Sequence, residues 1–517
     1  MVPVSLYMTA TSSETRVHDA GLDRVPPDNP DRGAVHSPQL DANARPAAVT
    51  PGRTPAVIRL LVLATFVVIL NETIMINAIP ELMAAMRISE QTAQWLSTAF
   101  MLTMAAVIPI TGWFLQRVPT RRAYSVAMGL FLLGTAVAIV APSFEVLLGA
   151  RIIQASGTAV MMPLLMTTLM QVVPEEDRGR VMGNVTLAIS VAPAMGPAVS
   201  GVLLQVGPWR LLFAVVLPIA ALITWRGLKR LENIGEPRSS SIDWLSVVTA
   251  AAGFGGLVYG LSRFEGGDAG VAAAIVAAGL ITIAVFVLRQ LSLQKRGVPL
   301  LDLRTLRHRT YTVALVMMSV AFMAMLGSMI LLPLYLQSVR QLNALETGLL
   351  VMPGGLAMGL LGPAVGRLFD QYGGRVLVIP GAIGIMLALT GFTQVSMTMP
   401  YWQILGLHAL LMVSLALTFT PVFTLGLGAV PPRLYSHGSS ILSTLQQVSA
   451  AFGTALVVTV MSVRADALRS TGLTDTLAAL GGMRLAFVIG AVLSVAVVAT
   501  ALLLPARAAR TIEPGPA

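Results

Sequence analysis

The sequence predicts an all-α protein that crosses a membrane many times. Three observations lead there: 55% of its 517 residues are hydrophobic and only 11% are charged, its mean hydropathy is +0.78, and its charges fall in short gaps between long apolar runs. A water-soluble globule carries about 25% charge, so the lipid bilayer is the expected solvent. A net charge of +10 can signal nucleic acid, but the basic residues form no soluble basic domain, and no nucleic-acid partner is expected. The chain has no cysteine, which rules out disulfides and thiolate metal sites. His18, His36, His308, His408 and His437 are too scattered for a ligand set. Neither a metal nor another cofactor is expected.

Residues 1–56 are rich in Asp, Glu, Pro, Ser and Arg, lack the apolar core of a signal peptide, and read as a disordered cytoplasmic arm. A spanning helix needs about 20 predominantly apolar residues. Fourteen such runs follow, at 57–79, 92–115, 122–141, 144–172, 180–206, 209–227, 243–263, 268–289, 310–336, 346–368, 375–396, 401–428, 437–462 and 483–504. An even number returns both termini to one side. Gaps and flanks on that side hold 18 Lys and Arg, against 7 on the other. The positive-inside rule then places both termini in the cytoplasm of a cell whose plasma membrane holds the chain.

An internal echo divides the spans. GWFLQRVPTRR from Gly112 follows the second, GRLFDQYGGRV from Gly366 follows the tenth, and in each a Gly precedes an Arg by nine residues. Two parallel six-helix bundles, 57–230 and 310–504, account for this if the two spans at 243–290 are an insertion. A cytoplasmic linker, 291–309, and a tail, 505–517, complete the plan. The linker is basic and amphipathic enough to lie on the inner leaflet, or it is a loop that only sets topology.

Polar residues inside apolar runs carry the candidate chemistry, because each is costly in hydrocarbon. The first span holds Asn71 and Glu72 within VVILNETIMINAIP. Burial disfavours the charged form of a carboxylic acid while a neighbouring Arg favours it, so an acid there can exchange protons near neutral pH. The fourth span holds Arg151 and Gln154, and the twelfth and thirteenth hold His408, Gln446 and Gln447. The fifth reads NVTLAISVAPAMGPAVSGVLL, with Pro193, Gly196, Pro197 and Gly201 in its middle. Proline removes a backbone donor and glycine permits close approach, so this span is expected to bend and to be tightly packed. The glycines of Gly253–Gly256 lie in an apolar span and read as helix packing, not as a phosphate loop.

These stretches resemble the fourteen-helix drug:proton antiporters of the major facilitator superfamily, the EmrB/QacA type. APAMGPAVSG is similar to their antiporter motif, and LNET followed by Ala78 and Pro80 is similar to their first-helix motif. Asn71 stands where Asp is commoner, which moves the acid one residue, or about 100° around the helix. Arg151, Gln154 and Gly157 resemble the arginine motif, with Ala155 replacing a Gly. Trp95, Thr98 and Ala99 resemble a W-x-x-T-A-Y stretch, with Phe100 for Tyr. Trp209, Arg210 and Phe213 match a W-R-x-x-F stretch.

The resemblance also covers the two echoing gaps, which look like the superfamily's cytoplasmic gate. Gly366, Leu368, Asp370, Gly373 and Arg375 fit its pattern. In the first copy, Gly112, Arg117, Arg121 and Arg122 remain while Gln116 replaces the Asp and Pro119 a Gly.

The resemblance implies the major facilitator fold and proton-coupled export of amphipathic or cationic drugs by alternating access, with Glu72 and Arg151 coupling the proton. Asn71, Trp95, Gln154, His408, Gln446 and Gln447 are expected to line the substrate cavity. It implies protons and a small drug or metabolite as partners and a monomeric transport unit, with a periplasmic adaptor an option. A dedicated exporter of one antibiotic, siderophore or other metabolite is the main alternative. A membrane enzyme or sensor would need a catalytic cluster, and none is seen in the sequence.

Overall fold

The computed structural model describes residues 55–76, 78–234, 242–265 and 269–505. The expected N-terminal arm and C-terminal tail lie almost wholly outside these residues. Among the described residues there is no strand, and the α-helices are α1 (Ala56–Ile76), α2 (Ile79–Met86), α3 (Glu90–Arg117), α4 (Thr120–Val140), α5 (Phe144–Val172), α6 (Arg178–Val206), α7 (Arg210–Arg230), α8 (Trp244–Ser262), α9 (Ala269–Lys295), α10 (Arg309–Leu334), α11 (Ala344–Tyr372), α12 (Arg375–Phe392), α13 (Tyr401–Gly428), α14 (Tyr435–Arg469) and α15 (Asp475–Leu503). All but α2 are long and apolar enough to cross a membrane, fourteen in total.

Local chemistry sets the ends. Ser89 Oγ accepts from Thr92 N (3.2 Å) to open α3, and Asn343 and Glu346 cap each other's backbone at the start of α11 (2.9 and 3.0 Å). Gly373 closes α11 at φ 83°, a conformation that a side chain makes costly. Prolines 109, 163, 218 and 421 sit inside helices that run on past them. After Pro333 the pattern changes: Tyr335–Val339 is a π-helical turn in which Arg340 N donates to Tyr335 O at 3.1 Å.

α14 and α15 outrun their apolar stretches. Arg469 pairs with Asp466 (2.6 Å) and Asp475 (2.8 Å), so ion pairs tie the two helix ends together where the apolar signal has stopped.

One pattern of contacts occurs twice. α1 packs on α5, α6 and α7, α5 on α3 and α4, and α4 on α7; likewise α10 packs on α13, α14 and α15, α13 on α11 and α12, and α12 on α15. The second helix of each set meets the fifth of the other, α3 against α14 and α11 against α6.

The α6/α11 seam is a ladder of small residues. Gly366 faces Gly179, Gly362 faces Gly183, Gly359 faces Val191, and Gly355 faces Ala194. A Cβ on Gly362 would stand 2.6 Å from the Gly183 carbonyl oxygen. In lipid no hydrophobic force pulls helices together, so this close approach supplies the packing attraction. The ladder covers twelve residues of α11, about 16 Å of helix.

α8 packs on α3, α9 and α14, and α9 reaches little beyond α8. A Cβ on Gly253 would stand 2.9 Å from Ile283 Cγ1, as expected of a packing glycine, whereas Gly255 and Gly256 line an open apolar cleft of about 360 Å³ with Leu102, Thr103 and Tyr259. Residues of the linker fold back onto this hairpin. Asp243 caps α8 at Ser246 N (3.1 Å) and takes two bonds from Arg289 (2.7 Å each). Gln290 accepts from Leu300 N and Leu301 N (2.8 and 3.2 Å) and donates to Ser246 Oγ (2.8 Å). Gln294 donates to Asp302 (3.1 Å).

Candidate functional site

Glu72 is a partly buried residue on the fifth turn of α1, and Arg151, two turns into α5, is 1% exposed. The two interact electrostatically but, among the described residues, make no direct ion pair. Arg151 rests between two other groups. Its Nη1 donates to Gln154 Oε1 (3.0 Å), and its guanidinium lies over the Phe100 ring, 4.2 Å from the centroid. Its Nε has no partner among the described residues. Gln154 Nε2 donates to Thr135 Oγ1 (2.8 Å), whose own proton goes to Phe131 O (2.7 Å). Thr135 belongs to no motif, and nothing in the sequence singled it out.

The antiporter motif meets this cluster from α6. A Cβ on Gly196 would stand 2.7 Å from Thr73 Cβ, one residue from Glu72. Thr73 Oγ1 donates back to Leu70 O (3.0 Å) and lies 3.5 Å from Ala192 O on α6. The helix of α6 runs on through Pro193 and Pro197. Pro193 is half-buried, and a Cβ on Gly201 would meet nothing within 4 Å. Close approach therefore explains Gly196 and leaves Gly201 without a structural reason; the side chain of Pro197 lies outside the described residues.

The gate copies form two bridges between the helix sets at the basic end of the bundle. Asp370, in the last turn of α11, accepts from Gly179 N (2.8 Å) and Arg180 N (2.7 Å) at the start of α6, where the helix dipole favours an anion. Gln116 Nε2, in the last turn of α3, donates to Arg433 O (3.0 Å) just before α14. Gly112 packs on His437 (3.0 Å from a Cβ to Nδ1). Charge-assisted bonds are worth about 1.5 to 3 kcal/mol each and a neutral one about 1 kcal/mol, so the Asp370 bridge is the stronger.

The gate arginines do not share in these bonds. Arg117 covers Trp113 (4.1 Å). The side chains of Arg121 and Arg375 are exposed, and neither joins an ion pair among the described residues. Arg178 takes the bridging part instead, donating to Met170 O (3.0 Å) and Tyr435 Oη (3.4 Å). The charged run EEDRGR before α6 was the available sign of it.

A buried seam of hydroxyls was also missed. Ser439 and Thr167 share a bond (2.7 Å), Ser440 donates to Ile108 O (2.6 Å) and accepts from Thr111 (3.2 Å), and Thr186 pairs with Thr420 (2.9 Å). Each joins one helix set to the other. The run YSHGSSILST opening α14 carries that pattern.

The expected cavity residues separate into two groups. Trp95 lies tilted beside the Tyr259 ring of α8 (centroids 5.8 Å apart), Gln154 is wholly buried between α4 and α5, and His408 is wedged against Gly354 with Nε2 3.2 Å from Val351 O. Gln154 and His408 are enclosed by helix contacts, whereas Trp95 is 38% exposed. Asn71 and Gln446 are buried with amide nitrogens that have no partner among the described residues, and Gln447 is half-buried. No three His, Asp or Glu side chains gather as a metal site among the described residues.

Known proteins share this architecture. The Major Facilitator Superfamily profile matches residues 61–454. The lincomycin resistance protein LmrB of Listeria innocua is 37% identical over 85% of this chain and 94% of its own. The multidrug resistance protein Stp of Mycobacterium tuberculosis is 28% identical over 77% of this chain and 74% of its own. Among solved structures, the proton:xylose symporter XylE superposes with a TM-score of 0.58 at 14% identity, covering 84% of this chain and 94% of XylE, which shows likeness of fold. This multi-pass membrane protein belongs to the major facilitator superfamily of transporters.

Proposed function

We propose that the chain exports amphipathic amines, lincomycin first among them, in exchange for protons, and that Glu72 is the coupling acid. Relatives named for lincomycin resistance are 35–37% identical, against 28% for the one named Stp, which favours a lincomycin-like substrate over a broad drug range. The observation that carries the coupling is the Glu72 carboxyl, set in the membrane on a partly buried residue, within electrical reach of Arg151 and with no ion pair to it among the described residues. A carboxyl so placed can accept either a proton or a cationic ligand, and each excludes the other.

The basic end is the cytoplasmic one by the positive-inside rule, and the bridges there support a conformation closed to the cytoplasm. In the reverse conformation, an ionised Glu72 attracts the substrate amine from the cytoplasm. After the halves rock, protonation from outside releases it. Both bridges join helix sets of one chain, which supports a monomeric transport unit with no chemical step of the enzymatic kind. The test is uptake of lincomycin into inside-out vesicles carrying an imposed pH gradient. Wild type should accumulate it and Glu72→Gln should not; gradient-driven accumulation by Glu72→Gln would refute the coupling role.

A further inference from the structure

We propose that Thr135 is a positioning residue which, through the Gln154 amide, holds Arg151 at a stand-off from Glu72. This inference rests on the proton-coupling reading above. The argument begins with a single hydrogen. A threonine hydroxyl has one proton to give, and that of Thr135 is committed to Phe131 O (2.7 Å). Its oxygen can then only accept, so it selects the NH₂ side of the Gln154 amide (2.8 Å) and turns Oε1 toward Arg151 (3.0 Å). A flipped amide would set acceptor against acceptor at Thr135 and donor against donor at Arg151.

The surroundings leave no alternative partner for that amide. Thr135 and Gln154 are wholly buried. Gly134 lets α5 approach so closely that a Cβ there would stand 2.6 Å from Gln154 Cγ, and a Cβ on Gly157 would stand 2.9 Å from Phe131 N. The amide is clamped between two helices.

Arg151 is held less firmly. One hydrogen bond and the Phe100 face retain it, and its Nε is unpaired among the described residues. α1 presents Glu72, the charged group with which Arg151 interacts. α3 presents Phe100, α4 presents Thr135, and α14 meets α5 through Ser439 at Thr167; none of these carries a charge. Freed from Gln154, the guanidinium has one strong partner to close on, the Glu72 carboxylate. A contact ion pair there would hold the acid ionised and out of proton exchange. The stand-off therefore keeps Glu72 exchangeable.

The experiment measures the pH dependence of substrate-induced proton release by purified protein for wild type, Thr135→Val, Thr135→Ala and Thr135→Ser. Val keeps the shape and Ala only removes atoms, so between them a folded variant lacking the hydroxyl is available. Both should move the midpoint to lower pH by about one unit, a tenfold change in proton concentration, while Ser, which keeps donor and acceptor, should stay with wild type. A role confined to packing would lower yield or melting temperature without moving the midpoint. An unmoved midpoint in the Val and Ala variants, or an equal move in Ser, overturns the inference. Glu72→Gln in the same assay separates the two ideas: proton release that survives in it refutes the coupling reading, and its loss with unmoved Thr135 variants refutes only the positioning role.

Discussion

Gly196 of α6 lies against Thr73 of α1 so closely that a Cβ on the glycine would stand 2.7 Å from Thr73 Cβ. The residue before Thr73 on α1 is Glu72. The contact thus fixes the turn that carries the acid against the helix that carries the antiporter motif, and there is no room for so much as a methyl group. Overpacking of this kind costs about 1 to 3 kcal/mol and is relieved by moving backbone.

Gly196→Ala should therefore cut efflux at least about tenfold with the protein still in the membrane. Gly201→Ala, whose new methyl would meet nothing within 4 Å, should leave efflux within about twofold of wild type. Vesicle transport normalised to the amount of protein checks both, and equal losses in the two variants would contradict the contact argument.

Asp370→Asn should loosen the closed basic end. The amide offers one acceptor where the carboxylate serves both Gly179 N and Arg180 N (2.8 and 2.7 Å), and the charge at the start of α6 is lost. A penalty of about 1.5 to 3 kcal/mol shifts a two-state equilibrium about 10- to 100-fold. The chain has no cysteine, so a single Ser439→Cys in the buried seam gives a clean reporter. Its maleimide labelling should rise at least about tenfold in the Asp370→Asn background, and unchanged labelling would count against the bridge.

Asp243 gives a pH prediction at the membrane surface. The Arg289 guanidinium holds its carboxyl down to about 2, below the ordinary value of about 3.9. A group depressed by folding stabilises the fold above its ordinary pKa and loses that contribution as pH falls through its folded value. The melting-temperature gap between wild type and Asp243→Asn should be constant from about pH 5 to 8 and shrink between about pH 4 and 2. A gap that changes around neutral pH would contradict the assignment.

Much of the architecture was legible because bilayer thickness imposes a length on apolar runs. The fourteen spans and the paired gate sequences at 112–122 and 366–375 follow from that rule and from the echo. The helix ends were less legible where no apolar run marks them: α14 continues to Arg469 and α15 begins at Asp475, with Arg469 paired to Asp466 and Asp475. Gly196 was read as a place of close approach and is one; its partner Thr73 was not foreseeable, since a motif names a residue and not what it touches.

The candidate site was legible only in part for the same reason. Glu72 and Arg151 announce themselves by their cost in hydrocarbon. Gln154 costs as much, but Arg151 and Thr135 satisfy its amide, and a single sequence does not distinguish a satisfied polar group from one facing a cavity. Thr135 and Ser439 went unnoticed because a hydroxyl in an apolar span is cheap: it returns its proton to a backbone carbonyl a turn away, as Thr135 does to Phe131.

Proton release from purified protein in weakly buffered detergent near pH 7, on addition of lincomycin, tests the exchange most directly. Wild type should release about one proton for each substrate bound, and Glu72→Gln none. Equal release by Glu72→Gln would show that another group trades the proton, and the central claim would be wrong.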